Sequence, residues 1–293
     1  MELNLIAEFK AHPRHAQAVS FAPDGNELVT TGMDALAKVW SVPEFDLLRT
    51  FTGHDKSVNS AAISPDGTLV LTGSTDRTAI VWDWASGEEV VRLSGHRNTI
   101  AASSFDPSGE TGVTASYDGR IGFWSKGSDS LDVIVSHPRN VTCVSFTPSG
   151  DELATSGIGN IVKIWDVESR KVIREIEVPG QAATGCLFKS DGQLLCTTYE
   201  GELVLLGSDD YETVSSGQMQ GAGPNSVATV RGTELLFCSV AGGVRVLDGK
   251  TFEVVAQDET GIKGMYGVAS SPDGSKVAAV SADGRLRVWT LED

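Results

Sequence analysis

Four of the five histidines in this 293-residue chain stand at a near-constant interval: His12, His54, His96 and His137. Three of them lie 22 residues before an aspartate, Asp34, Asp76 and Asp118. An imidazole beside a carboxylate suits a general base held in one tautomer, or a metal ligand with its outer support. Either use requires the side chains to converge, because a zinc site gathers three or four ligands around one ion. A threonine lies four residues before each aspartate (Thr30, Thr72, Thr114), and a tryptophan six after it (Trp40, Trp82, Trp124). A fourth set keeps His137, Thr155 and Trp165 but has Gly159 in place of the acid. A set that recurs at constant spacing is spread out by whatever unit repeats. No shared metal, cofactor or catalytic centre is therefore expected from these residues.

The repeating unit can be measured from its tryptophans. Trp40, Trp82, Trp124, Trp165 and Trp289 are separated by 42, 42, 41 and 124 residues, and the last gap is three times about 41. The two missing anchors fall on Leu206 and Leu247, each closing an apolar run, so seven repeats are counted. Turns keep the same phase: Pro23-Asp24-Gly25, Pro65-Asp66-Gly67, Pro107-Ser108-Gly109, Pro148-Ser149-Gly150, Ser190-Asp191-Gly192 and Pro272-Asp273-Gly274, with a shortened Arg231-Gly232 between the last two. Gly tolerates positive φ and Asp bonds its own backbone, so these read as hairpin turns. In the second repeat the strand-like runs are Val58–Ser64, Leu69–Ser74, 79–82 and Glu89–Leu93, with no helical period. Four antiparallel strands repeated seven times predict an all-β toroid of seven small sheets, a single domain over residues 1–293. The last sheet lacks an outer strand after Trp289. Residues 3–9 precede Ala11-His12 as 47–51 precede Gly53-His54, so they are expected to supply it and close the ring.

With Gly53-His54 followed by Trp82-Asp83, and further halves in Gly95-His96 and Trp165-Asp166, the sequence resembles the WD40-repeat family over essentially its whole length. The resemblance implies a seven-bladed β-propeller in which His, Thr, Asp and Trp of one blade form a hydrogen-bonded chain. His12–Thr30–Asp34–Trp40, His54–Thr72–Asp76–Trp82 and His96–Thr114–Asp118–Trp124 would then be structural, as would the incomplete His137–Thr155–Trp165. The fifth repeat has Glu200 but no histidine, the sixth retains nothing, and the seventh keeps only Asp283 and Trp289. Blades five to seven are expected to be held mainly by apolar packing and to open more readily than blades one to three.

The resemblance also points to a binding face, since in the family the residues before the structural Asp and early in each innermost strand surround the channel mouth and contact peptides. Carried over, these are Met33, Thr75, Tyr117, Ile158 and Tyr199, with Gln17, Asn59, Thr142 and Tyr266 on the inner strands. Three of the four tyrosines fall on such positions, where a rigid ring with a polar tip suits a contact hot spot. Arg14, Lys56, Arg139 and Lys263 occupy the inter-blade loops of the same face, and Arg97 is one place off. The opposite turns carry Asp24, Asp66, Asp106, Asp191 and Asp273. A protein or peptide partner that is acidic or phosphorylated is therefore expected at the basic face. Trp84, outside the anchor series, either packs locally or anchors a second partner.

Composition bounds the alternatives. With 23 Lys+Arg against 39 Asp+Glu the net charge is −16, which argues against tracking nucleic-acid phosphates or docking on anionic lipid. No apolar run is long enough for a membrane helix and the first residues lack a secretory pattern, so a soluble, cytoplasmic, monomeric propeller is expected. The four cysteines show no metal-ligand spacing and are expected to be reduced core thiols. Gly249-Lys250-Thr251 lacks the earlier glycine and the helix of a phosphate loop. An enzymatic propeller, or a sensor of a small ligand or anion, would need ionisable groups in the channel. The candidates there are Thr, Tyr, Asn and small residues, with Glu200 the main exception, so no enzyme is expected.

Overall fold

Each middle strand of a blade is sandwiched between neighbouring blades and so is apolar on both faces, as in Leu69–Ser74 and Ala79–Asp83, which are almost entirely buried. The first strand is half-buried, and the fourth, such as Glu89–Leu93, is largely exposed. In the computed structural model, which describes residues 1–219, 226–230, 232–262 and 264–292, these strands form seven four-stranded antiparallel sheets. Six sheets take four consecutive strands, within residues 16–52, 58–93, 100–135, 141–177, 183–218 and 226–262. The seventh joins Met265–Ser270, Lys276–Ser281 and Arg285–Glu292 to the strand Glu2–Lys10, which pairs antiparallel from Glu2↔Glu292 to Lys10↔Arg285. The predicted seven-bladed β-propeller and its closing strand are thus both present. First strands of successive blades touch one another all the way round, so they form the innermost ring.

The turn glycines account for the hairpins. Gly25, Gly67, Gly109, Gly150, Gly192, Gly232 and Gly274 all have φ between +69° and +84°, a region that penalises any Cβ. Seven hydrophobic clusters fill the seven interfaces between blades; Phe51 and Val39 of blade one, for instance, pack with Trp82, Ile80 and Trp84 of blade two. The leucines in anchor positions, Leu206 and Leu247, are buried in the same way as the tryptophans.

Candidate functional site: the histidine-braced face

The recurring polar set braces one face of the ring. In blade two, Trp82 Nε1–H donates to Thr72 Oγ1 (2.8 Å), His54 Nε2 lies 2.9 Å from the same hydroxyl, and His54 Nδ1 lies 2.8 Å from Asp76. Burial lowers the pKa of His54 despite the neighbouring carboxylate, so the imidazole is neutral. One direction of donation then satisfies every member: indole N–H to threonine, threonine O–H to Nε2, and Nδ1–H to carboxylate. Burial pushes the Asp76 carboxyl up, but hydrogen bonds from Thr78, the Asp55 amide and His54 together outweigh it and hold it at about 2. Blade one repeats the arrangement, with Trp40 Nε1 to Thr30 at 2.9 Å, His12 Nε2 to Thr30 at 2.9 Å and His12 Nδ1 to Asp34 at 2.9 Å. The four imidazoles stand in four different blades. Among the described residues no three metal-ligating side chains are placed to hold an ion together.

Blade three departs from this pattern at Trp124. His96 contacts Thr114 (2.9 Å) and Asp118 (3.2 Å), but Trp124 Nε1–H donates to the Ser128 carbonyl (2.9 Å) and not to Thr114. The cause is Gly122, two residues before the tryptophan, where other blades have Lys38, Ile80 and Lys163. Leu131 fills the vacated space: a Cβ on Gly122 would lie 2.6 Å from its Cδ2 and 2.9 Å from Thr114 Oγ1. In blade four His137 contacts Thr155 (3.0 Å) and Trp165 donates to the same hydroxyl (2.9 Å). With Gly159 in the acid's place, burial and then the Lys163 charge together push His137 down to about 4.

That displacement has a sign that can be tested. Folded His137 stays neutral while the unfolded imidazole protonates near its ordinary value of 6.5, so between these values the unfolded chain binds the extra proton. The contribution is therefore present at neutral pH and lost on acidification through that window, by at most about 3 kcal/mol. Urea midpoints at about pH 7.5 and about pH 4.5 are expected to differ less in His137→Gln, whose amide can still hydrogen-bond Thr155, than in the parent.

Blade seven adds a buried ion-pair network to its apolar packing. Arg287, 3 % exposed, donates to Ser281 Oγ (2.8 Å) and pairs with Asp283 (3.0 Å) and with Glu8 of the closing strand (3.0 Å). Burial raises the Asp283 carboxyl, but the bonds from Arg287, Ser281 and the Arg285 amide outweigh that and bring it to about 2. Blade five does lack its brace. Val178 stands at the histidine's repeat position, and Glu200 and Glu202 each keep one buried carboxylate oxygen without a hydrogen-bond partner.

The residues before the structural acids share one backbone bond. The amides of Met33, Thr75, Tyr117, Ile158, Tyr199 and Ala282 donate to the carbonyls of His15, Ser57, Thr99, Asn140, Ala182 and Gly264, at 2.7–3.0 Å. Each bond ties a hairpin tip to the inter-blade loop beside it, so both sets of loops share one face. On that face Tyr199 is 73 % exposed, Ile158 48 %, and Met33 and Tyr117 40 % each. Apart from Met1, every other strongly exposed large apolar residue among the described residues lies on a fourth, outermost strand. Arg14, Lys56, Arg97 and Arg139 are exposed in the adjoining loops, and none forms an ion pair with a described residue. Lys263 lies outside the described residues.

Other candidates are engaged within the ring. Asn59 Nδ2 donates to Thr75 Oγ1 (3.1 Å) and to the Ile100 carbonyl (2.9 Å), bracing blade two against blade three. Thr142 Oγ1 donates to the Thr184 carbonyl (3.1 Å). Tyr266 is half-buried with its hydroxyl 3.5 Å from Nδ1 of His15, a neighbour the histidine period did not reveal. Gln17 is half-buried on its inner strand. Trp84 is buried against Phe51, with the Arg49 guanidinium 5.3 Å from its ring, which resolves it as local packing. Tyr211, the one tyrosine away from this face, bonds Glu152 of blade four and stacks under Arg174.

Comparison with known proteins agrees with this architecture. The chain is 24 % identical over 169 residues to WD repeat-containing protein AAC3 of Dictyostelium discoideum, covering 54 % of this chain and 34 % of that protein. It is 27 % identical over 172 residues to the serine-threonine kinase receptor-associated protein of Gallus gallus, covering 56 % and 47 %. It is 28 % identical over 150 residues to eukaryotic translation initiation factor 3 subunit I of Aspergillus fumigatus, covering 45 % and 44 %. The matches thus span less than half the length of these relatives. The family described as IFT122 first beta-propeller matches residues 15–290. With that match over nearly its full length and seven blades in its fold, the chain belongs to this family of WD-repeat β-propellers.

Proposed function

We propose that this propeller is a non-catalytic scaffold whose histidine-braced face receives an acidic or phosphorylated peptide segment of a partner protein. A rigid WD-repeat ring serves protein interaction in general, and the choice of face rests on one observation. Apart from Met1 and the outermost strands, the exposed large apolar side chains of the described residues, Met33, Tyr117, Ile158 and Tyr199, share a single repeat position, flanked by Arg14, Lys56, Arg97 and Arg139, none of which is ion-paired with a described residue. Aromatic and aliphatic anchors supply contact area, and the cations steer an anionic segment and fix its direction. The loops are held by recurring backbone bonds and buried side-chain chains, so the face is preformed and binding needs little reorganisation. The four unbridged cysteines suit a reducing compartment such as the cytoplasm, where the ring would act as a monomer.

The test is binding of arrayed peptides, in acidic, phosphoserine-bearing and basic sets, to the parent protein and two variants. Tyr117→Ala/Ile158→Ala/Tyr199→Ala is expected to weaken the best acidic or phosphorylated binders by on the order of 30-fold or more, the scale of hot-spot loss. Arg14→Glu/Lys56→Glu/Arg139→Glu is expected to abolish the preference for anionic peptides and the salt dependence of association. Equal binding by parent and both variants, or selection of the basic set, would overturn the proposal.

A further inference from the structure

Three of the four cysteines meet where blade four packs on blade five. Cys143 lies on the first strand of blade four (Val141–Phe146) and Cys186 on the first strand of blade five (Ala183–Phe188). Cys196 is the direct register partner of Cys186. The Cys143 thiol donates to the Cys186 carbonyl at 3.1 Å. The repeat supplies an internal standard for this geometry. Ser60 and Ser103, also 43 residues apart, occupy the same two positions at the interface of blades two and three, with their hydroxyl oxygens 3.0 Å apart. Side chains at these positions therefore point at one another across the interface, the approach a disulfide requires.

The two thiols are not equivalent. Cys143 is only half-buried, on a strand of the innermost ring, whereas Cys186, Cys196 and Cys238 are fully buried. The neighbouring Cys186 thiol draws the Cys143 thiol below its ordinary pKa, against the effect of burial, and the same proximity pushes Cys186 up. A half-buried thiol beside a second, fully shielded one is the arrangement of an attacking and a resolving cysteine.

We propose that Cys143 and Cys186 form an oxidative modification site that takes a small hydroperoxide and closes to a disulfide between blades four and five. The Cys143 thiolate attacks a peroxide oxygen; an S–O bond forms, the O–O bond breaks, and water or the parent alcohol leaves with the proton. The Cys186 sulfur then attacks the resulting sulfenic acid; an S–S bond forms, the S–O bond breaks, and water leaves. The two thiols supply the two electrons that reduce the peroxide. The bond would staple two blades that side-chain and backbone contacts otherwise hold, one of them a blade without a histidine brace.

The test treats the native protein with hydrogen peroxide, counts free thiols, and maps disulfide-linked peptides without reduction. The expected result is loss of two of the four thiols, one linked pair joining Cys143 to Cys186, and recovery of all four thiols with dithiothreitol. Cys143→Ser should abolish the linkage and leave its remaining thiols unreacted. Serine already occupies the equivalent position at Ser60, so this variant is expected to fold, and the thiol count on the parent protein decides the matter without it. Survival of all four thiols in peroxide while the urea-unfolded chain reacts would overturn the proposal. A dominant Cys186–Cys196 bond, or sulfinic acid at Cys143 without a cross-link, would do the same.

Discussion

Replacing Trp82 with alanine is expected to lower the stability of the fold by about 3–5 kcal/mol, the range for deleting a fully buried aromatic side chain. Trp82 stacks on Phe51 of the preceding blade, with ring centroids 5.4 Å apart and planes 14° from parallel, and its indole anchors the chain through Thr72 and His54 to Asp76. The alanine variant would lose the inter-blade contact and leave the Thr72 hydroxyl short of a donor inside a dry interface. Urea unfolding measures the loss, and a change below about 1 kcal/mol would mean that the interface recloses around the gap. A milder pair of substitutions separates packing from hydrogen bonding. Trp82→Phe should cost more than Trp124→Phe, by on the order of 1 kcal/mol, because the Trp124 indole serves a part-buried loop carbonyl and not the braced threonine.

Arg287→Ala is expected to cost about 2–4 kcal/mol. Removing one member of a buried ion pair commonly costs more, but Asp283 and Glu8 are each about a third exposed and regain water when the guanidinium is gone. The effect should concentrate on the closing strand. Amides of Glu2–Lys10 are expected to exchange much faster in the variant while those of blade two stay protected. An unchanged urea midpoint together with an equally protected closing strand would show that backbone pairing alone holds the ring shut.

The periodic features of this protein were legible in its sequence and the compensating ones were not. Blade number follows from the spacing of Trp40, Trp82, Trp124, Trp165 and Trp289, and the turns from glycines that all adopt positive φ. Strand limits in blade two were read to within a residue. The indole of Trp124 was misassigned because its partner depends on how Leu131 fills the space above Gly122, a packing event between residues that the repeat does not align. Residue type does not mark Arg287, because arginine is a surface residue by default. The signal lay in its register, two positions before the anchor, where Lys38 and Lys163 also stand. Asn59 and Thr142 show a different limit: periodicity places a polar side chain near the channel mouth but does not say whether a neighbouring carbonyl has already claimed it.

Pairing the strand Glu2–Lys10 with Arg285–Glu292 joins residues separated by nearly the whole chain. A ribosome adding roughly 5–20 residues per second releases the second partner tens of seconds after the first. During that interval Glu2–Lys10 has no native mate, and seventh-blade residues emerging from the exit tunnel present a bare sheet border. Maturation of this molecule is consequently a race between late ring closure and capture of that border by another nascent chain. Chaperone dependence should fall when the early segment is grafted, by circular permutation, behind Glu292.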